Sequence, residues 1–141
     1  MTVLYGTAKW AYIKTPNTRF TPEWCIDLAP ENQEDLDNFK DKGFTIKTHE
    51  GVEHLKIRRK VTNAKGNENS QPKLLDAHKN PIDVQVGNGS RVAVQFEEYS
   101  GTGSYVTYQG LDLKAVQVLD LVEFAGADGD EFDSFDPDSE L

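Results

Sequence analysis

At 141 residues the chain has the length of one domain with room for a modest core. A hydrophobic fraction of 37% and a mean hydropathy of -0.62 describe a polar globular protein, without the roughly 18-residue apolar run of a membrane span. The formal charge of -9 conceals polarity along the chain. Seven of the 24 acids lie in residues 126–141, leaving 17 acids against 15 bases for residues 1–125. Residues 54–96 carry eight bases and three acids, so the middle is basic and the end acidic. An acidic total therefore does not exclude nucleic acid as a partner. The single cysteine, Cys25, cannot form an internal disulfide and is expected to pack as a small hydrophobe. "MTVLYGTAKW" lacks the basic and apolar regions of a signal peptide, so a cytoplasmic location is expected.

Period-2 alternation dominates the chain. "AKWAYIK" (residues 8–14) and "EWCIDLA" (residues 23–29) read as strands separated by the turn-rich "TPNTRFTP". In the second, Trp24, Ile26 and Leu28 share one face, with Cys25 and Asp27 on the other. "APENQEDLDNFKDKG" changes character: acids first, Leu36 and Phe39 three apart, then Lys40 and Lys42 before Gly43. That order suits a helix dipole closed by a glycine, and predicts the one helix. "EHLKIRRKV" (residues 53–61) alternates Leu55, Ile57 and Val61 against His54, Lys56, Arg58 and Lys60. The second set forms a basic row with about 7 Å per step. Arg59 falls on the apolar face, which requires either a bulge or an open end to that face.

Further along, "NAKGNENSQP" is a loop and "PKLLDAHKNPI" a short hairpin. "VGNGSRVAVQFEEY" is a glycine turn feeding a strand, with Val92, Val94 and Phe96 on one side. After the flexible "SGTGS", "YVTYQGLDLKAVQVLDLVEF" holds one long strand or two. Six to eight short strands, one helix and frequent turns predict a mostly β, OB-type five-stranded barrel with extra hairpins. That domain is expected over residues 1–125, followed by a disordered acidic tail over 126–141.

The first candidate chemistry is the basic strand with aromatics around it: Trp10, Tyr12, Trp24, Tyr99, Tyr105 and Tyr108. Cations track the phosphates of a single strand and flat rings stack on its bases, at roughly 1–3 kcal/mol per base. The competing reading is that the rings fill a core and the cations are a solvated face. Trp24 favours the core, sharing a face with Ile26 and Leu28, whereas Tyr99, Tyr105 and Tyr108 flank the glycine loop.

Enzyme signatures are poor. His49, His54 and His78 lack metal-ligand spacing, and "DGDEFD" lacks the glycine and closing glutamate of a calcium loop. "GNGS" and "GTGS" are too short for phosphate loops. No catalytic residue, metal or cofactor is expected. In the tail, Phe132 and Phe135 stand among Asp130, Glu131 and Asp133, an arrangement suited to a docking peptide: rings as anchors, carboxylates steering toward a basic pocket.

Together these pieces resemble the single-stranded-DNA-binding proteins of short-tailed phages, the T-seven type and its relatives. "GTAKWAYIKTPN" is similar to that family's first strand, and "EWCIDLAP" to its second. "VGNGSRVAV", with Arg91, is similar to its glycine-rich turn and the strand beyond. "LDLKAVQVLDLVEF" and "AGADGDEFD" are similar to its last strand and the exit into its tail.

The resemblance implies an OB-fold that coats single-stranded DNA without sequence preference during phage replication and recombination, in the cytoplasm of the infected bacterium. It implies a tail that contacts the phage DNA polymerase and helicase-primase and competes with DNA for the groove, and a possible homodimer. By position, it sets Tyr99 beside DNA and Arg58 or Arg59 on a strand lining the cleft. Two departures stand out: the chain ends on Leu141 after a short tail, and its helix region is short. The DNA-contacting residues expected are Lys56, Arg58, Arg59, Lys60, Arg91, Trp10, Tyr12, Tyr99, Tyr105 and Tyr108. The alternative is a protein-interaction module or DNA mimic acting through an acidic surface. Such a mimic would spread its acids over the folded body rather than gather seven of 24 at one end.

Overall fold

The computed structural model describes residues 1–63, 65–102 and 107–122, with only the backbone of Thr107 and Tyr108. Tyr105 and the acidic segment lie outside the described residues. The elements are β1 (Thr2–Asn17), β2 (Glu23–Pro30), α1 (Gln33–Asp41), β3 (Ile46–His49), β4 (Val52–Lys60), β5 (Lys73–Leu75), β6 (Arg91–Thr102) and β7 (Thr107–Asp120).

The strands form one sheet in the order β3-β4-β2-β1-β6-β7-β5, closed on itself by a parallel bridge between Arg58 of β4 and Asp112 of β7. The closed barrel is therefore β1, β2, β4, β7 and β6, with β3 and β5 as added edge strands. Its first strand pairs with the second and fourth, and its third runs parallel to its fifth. This is the five-stranded OB arrangement expected from the sequence.

Alternation builds the core. Ile26 and Leu28, Leu55 and Ile57, and Val92, Val94 and Phe96 point inward at successive odd or even positions and are fully buried. In β7 the register steps from Gln95↔Ala115 to Phe96↔Leu113, so the strand carries an extra residue there. That bulge lets Leu113 and Val116 both turn inward despite their odd spacing. The last segment is one strand, not two.

Helix α1 follows its charge order. Asn32 caps it by accepting the Glu34 N–H, Glu34 and Asp35 occupy the first turn, and Lys40 the last. Its apolar stripe, Leu36 and Phe39, is buried against the barrel. Phe39 stands edge-on to Phe44 and to Phe96, with ring centroids 5.6 Å apart in each pair.

Strand β3 goes unread in the sequence because "IKTH" has one apolar residue in four and pairs on one side only. Tertiary pairing makes it a strand: a two-residue turn, Glu50 and Gly51 with φ of 53° and 81°, folds it back on β4. Two successive positive φ values are the signature of a type I′ hairpin. Lys9 ties this turn to β1 through the Glu50 carboxylate. "PKLLDAHKNPI" forms the expected hairpin, with Leu75 bridged to Pro81, and its first arm adds to the sheet as β5 alongside β7.

Candidate nucleic-acid interface

The outer face of β2 and β4 is read from their register. Cys25 lies between Tyr12 of β1 and Arg58 of β4, and Asp27 between Lys9 and Lys56. Directly opposed residues share a face at about 4.5–5.5 Å, so these are rows running across three strands. Lys56, Arg58 and Lys60 stand along this face as the alternation required, with Leu55 and Ile57 buried beneath.

One carboxylate serves two of these cations. Glu23 lies 3.7 Å from the Arg58 guanidinium and 3.8 Å from the Lys56 ammonium. Lys60 has no ion-pair partner among the described residues. Between Glu23 and Asp27, the buried Cys25 thiol is pushed up to about 11, chiefly by burial and then by Glu23. It stays a neutral thiol, forming an uncharged floor rather than a nucleophile.

Two hollows meet at Lys56 and Arg58. One is lined by Asn17, Arg19, Phe20, Thr21, Glu23 and Lys60 as well as that pair. The other continues over Thr45, Lys47, Gln109 and Gly110. The combined groove carries five bases (Arg19, Lys47, Lys56, Arg58, Lys60) against the single carboxylate of Glu23.

Each end holds an exposed ring. Phe20, in the loop between β1 and β2, is 83% exposed, with the Arg19 guanidinium 5.5 Å from its ring centre. At the other end Tyr99 of β6 opposes Gly110 of β7 and lays its ring across it. A Cβ at position 110 would sit 2.3 Å from the Tyr99 hydroxyl, so glycine is what lets the ring lie there. In OB barrels the face of the second and third strands, with the loops joining strands one to two and four to five, is where oligonucleotides bind. Here those strands are β2 and β4, and the first of those loops carries Arg19 and Phe20.

Tyr12 adjoins the groove through the Cys25 row, and Trp10 stands two residues before it in a bulge of β1. Tyr108 is paired by backbone with Gly101 at the far end of the β6–β7 hairpin. Arg19, Phe20 and Lys47 were not singled out in the sequence. A lone basic-aromatic pair inside a proline-bounded turn is the only signal that marked the first two.

Three expected members of the basic set sit elsewhere. His54 does not project with the row: it is 4% exposed, its Nδ1 2.9 Å from the Val52 carbonyl and its ring 5.0 Å from His49. Burial lowers its pKa, favouring the neutral ring. Arg59 lies on the inner side at the open end of the barrel, with no shift in the β2–β4 register to turn it out. Its guanidinium donates to both Asp112 oxygens at 3.0 and 2.8 Å, and its Nε to the Ser70 carbonyl at 2.8 Å. It clasps β4 to β7 where a single bridge closes the barrel. Arg91 pairs with both oxygens of Glu31, at the start of β6 and away from the groove.

Different roles predict different losses. Arg59→Ala costs about 2 kcal/mol of stability, the worth of charge-assisted hydrogen bonds, and leaves the salt dependence of strand binding unchanged. Urea unfolding beside a salt titration separates the two effects. Gly110→Val lifts the Tyr99 ring and is expected to weaken single-strand binding by several-fold with the salt slope kept. Titration of a labelled oligonucleotide at three salt concentrations checks this.

No protein-family model matches the sequence, nor does any curated protein sequence. Solved structures do match. One is gp2.5, a single-stranded DNA binding protein encoded by bacteriophage T7, with a TM-score of 0.61 at 17% identity over 90% of this chain and 95% of that one. The single-stranded DNA-binding protein from bacteriophage Enc34 matches with a TM-score of 0.60 at 14% identity, over 94% of this chain and 88% of that one. In complex with ssDNA, the Enc34 protein matches at 0.59 and 13%, over 87% of each chain. The chain thus has the OB-type barrel fold of the phage single-stranded-DNA-binding proteins.

Proposed function

We propose that this protein binds single-stranded DNA without sequence preference, through the groove over β2 and β4, and catalyses no reaction. The observation that carries this reading is the groove's composition: five bases, one shielded carboxylate and an exposed ring at each end. Cations spaced along a strand hold phosphates regardless of base identity, and rings stack on any base. The fold neighbours support it, since their names describe single-stranded DNA binding.

The finer reading is a role in phage replication and recombination inside the host cell. Segment 126–141 competes with DNA for the groove and, once displaced, docks replication partners such as the phage polymerase and helicase-primase. Asp130, Glu131 and Asp133 stand in for phosphates, and Phe132 and Phe135 for bases. Two domains of function follow: residues 1–125 for DNA, 126–141 for partners.

The test is anisotropy of a labelled oligo-dT and of a matched duplex, with the full chain and with a chain ended at Phe124. Binding of the single strand, weakening with salt and tighter without the tail, is expected. Absence of single-strand binding at low salt would sink the reading. Equal affinity with and without the tail would remove the competition.

A further inference from the structure

Beside the cationic groove, across β1, lies a hollow of opposite character. Its volume is 280 Å³, and Trp10, Tyr12, Pro16 and Val86 form its apolar walls. Gln85 and Asn88 supply side-chain amides, and no charged residue lines it. Phosphate finds no cation there. A flat, neutral, hydrogen-bonding group needs none.

The backbone is bent to make this hollow. Between Lys9 and Tyr12 strand β1 spends three steps where β2 spends two, from Asp27 to Cys25. The extra residue is a bulge, and Trp10 within it has φ of 50°, a left-handed conformation that a bulky side chain rarely adopts. The Asn88 side chain holds it by accepting the Trp10 backbone N–H at 2.8 Å. The indole is thereby turned out, 48% exposed, and braced edge-on by His49 at 6.4 Å. Tyr12 is 37% exposed and shares its row with Cys25 and Arg58, two strand spacings or about 10 Å from the basic row.

We propose that this hollow lodges one nucleobase of the strand whose phosphates lie on Arg58, stacked on Trp10 or Tyr12 with its edge toward Gln85 and Asn88. The inference rests on the single-strand reading above and adds a base-binding site separate from the phosphate groove. Aromatic walls take any base face, and side-chain amides both donate to and accept from base edges. Neutral lining and continuity with the cationic row together select a base over a phosphate.

Two oligonucleotides of equal length test it on the full chain: oligo-dT and a strand of abasic sites with the same phosphates. Binding is read by anisotropy, and occupancy of the hollow by tryptophan emission. Trp24 is buried in the core, so the exposed Trp10 reports. Quenching is expected with oligo-dT and not with the abasic strand, although both bind. Trp10→Gly removes the ring while suiting the positive φ, so the fold survives, and a thermal melt verifies it. It should weaken oligo-dT by about 5- to 150-fold and leave the abasic strand unchanged, whereas Lys60→Ala weakens both. Tyr12→Leu provides a second variant should Trp10→Gly fail to fold. If oligo-dT binds wild type and both variants alike, the hollow holds no base and the groove reading stands. If neither strand binds wild type, both readings fall.

Discussion

Lys56→Gln, Arg58→Gln and Lys60→Gln combined are expected to lower affinity for single-stranded DNA by on the order of 500-fold at about 50 mM salt. Each cation withdrawn from a phosphate of the single strand takes about 0.7 off the logarithmic salt slope, so removing three makes it shallower by about 2. The difference therefore shrinks toward 1 M salt, where wild type and variant converge. Lys56, Arg58 and Lys60 point away from the core that Leu55 and Ile57 fill, and glutamine keeps most of each stem, so the effect is one of charge rather than packing. Glu23 sharpens the expectation, because it neutralises part of the Lys56 and Arg58 charge whereas Lys60 has no such partner among the described residues. Lys60→Gln alone should accordingly cost at least as much as either other single change. Anisotropy titrations from low to high salt measure both quantities. A slope that does not change places the phosphates elsewhere.

Phe96→Ala carries the largest expected loss of stability, about 3–5 kcal/mol, from lost burial and the cavity left behind. Phe96 is fully buried, and its ring meets Phe39 at 5.6 Å, so it joins barrel and helix. It also pairs with Leu113 beside the bulge of β7. Against a total of about 5–15 kcal/mol, this is about a fifth or more of what holds the domain together. Thermal unfolding by circular dichroism should show the midpoint falling by roughly 10–20 °C. Strand affinity well below that midpoint should stay within a few-fold of wild type, because the groove residues stand on the outside of the barrel. Tyr99, three residues along β6, makes this a useful check that stability and binding separate.

Strands with alternation were legible because their inward residues are large and apolar and their outward ones are polar or small. β2, β4 and β6 are of this kind, with Cys25 and Ala93 the small outward residues, and their core residues Ile26, Leu28, Leu55, Ile57, Val92, Val94 and Phe96 match the pattern. The helix was legible for a different reason, its charge order and terminal glycine. β3 was not, since an edge strand of four residues owes its conformation to its partner. His54 illustrates the limit of alternation: it sits on the outer face, but the His49 ring from the end of β3 packs against it and the outer position is a buried one. Arg59 illustrates the converse, an inner position at a barrel's open end, where a long side chain finds Asp112 and Ser70.

The site divides along the same line. By itself the sequence determined the fold class, the basic row Lys56, Arg58 and Lys60, and the separation of a basic middle segment from an acidic end, because each follows from local spacing or composition. Tertiary structure alone decided which rings stand near that row. Phe20 and Tyr99 come to its two ends through a loop and a cross-strand pair that join residues far apart in the chain. The bulge at Trp10 was likewise invisible, since it depends on where β1 must bend to follow β2. Periodicity reports which way a side chain points from its own strand, whereas the neighbours it meets are set by register between strands, which no single strand encodes.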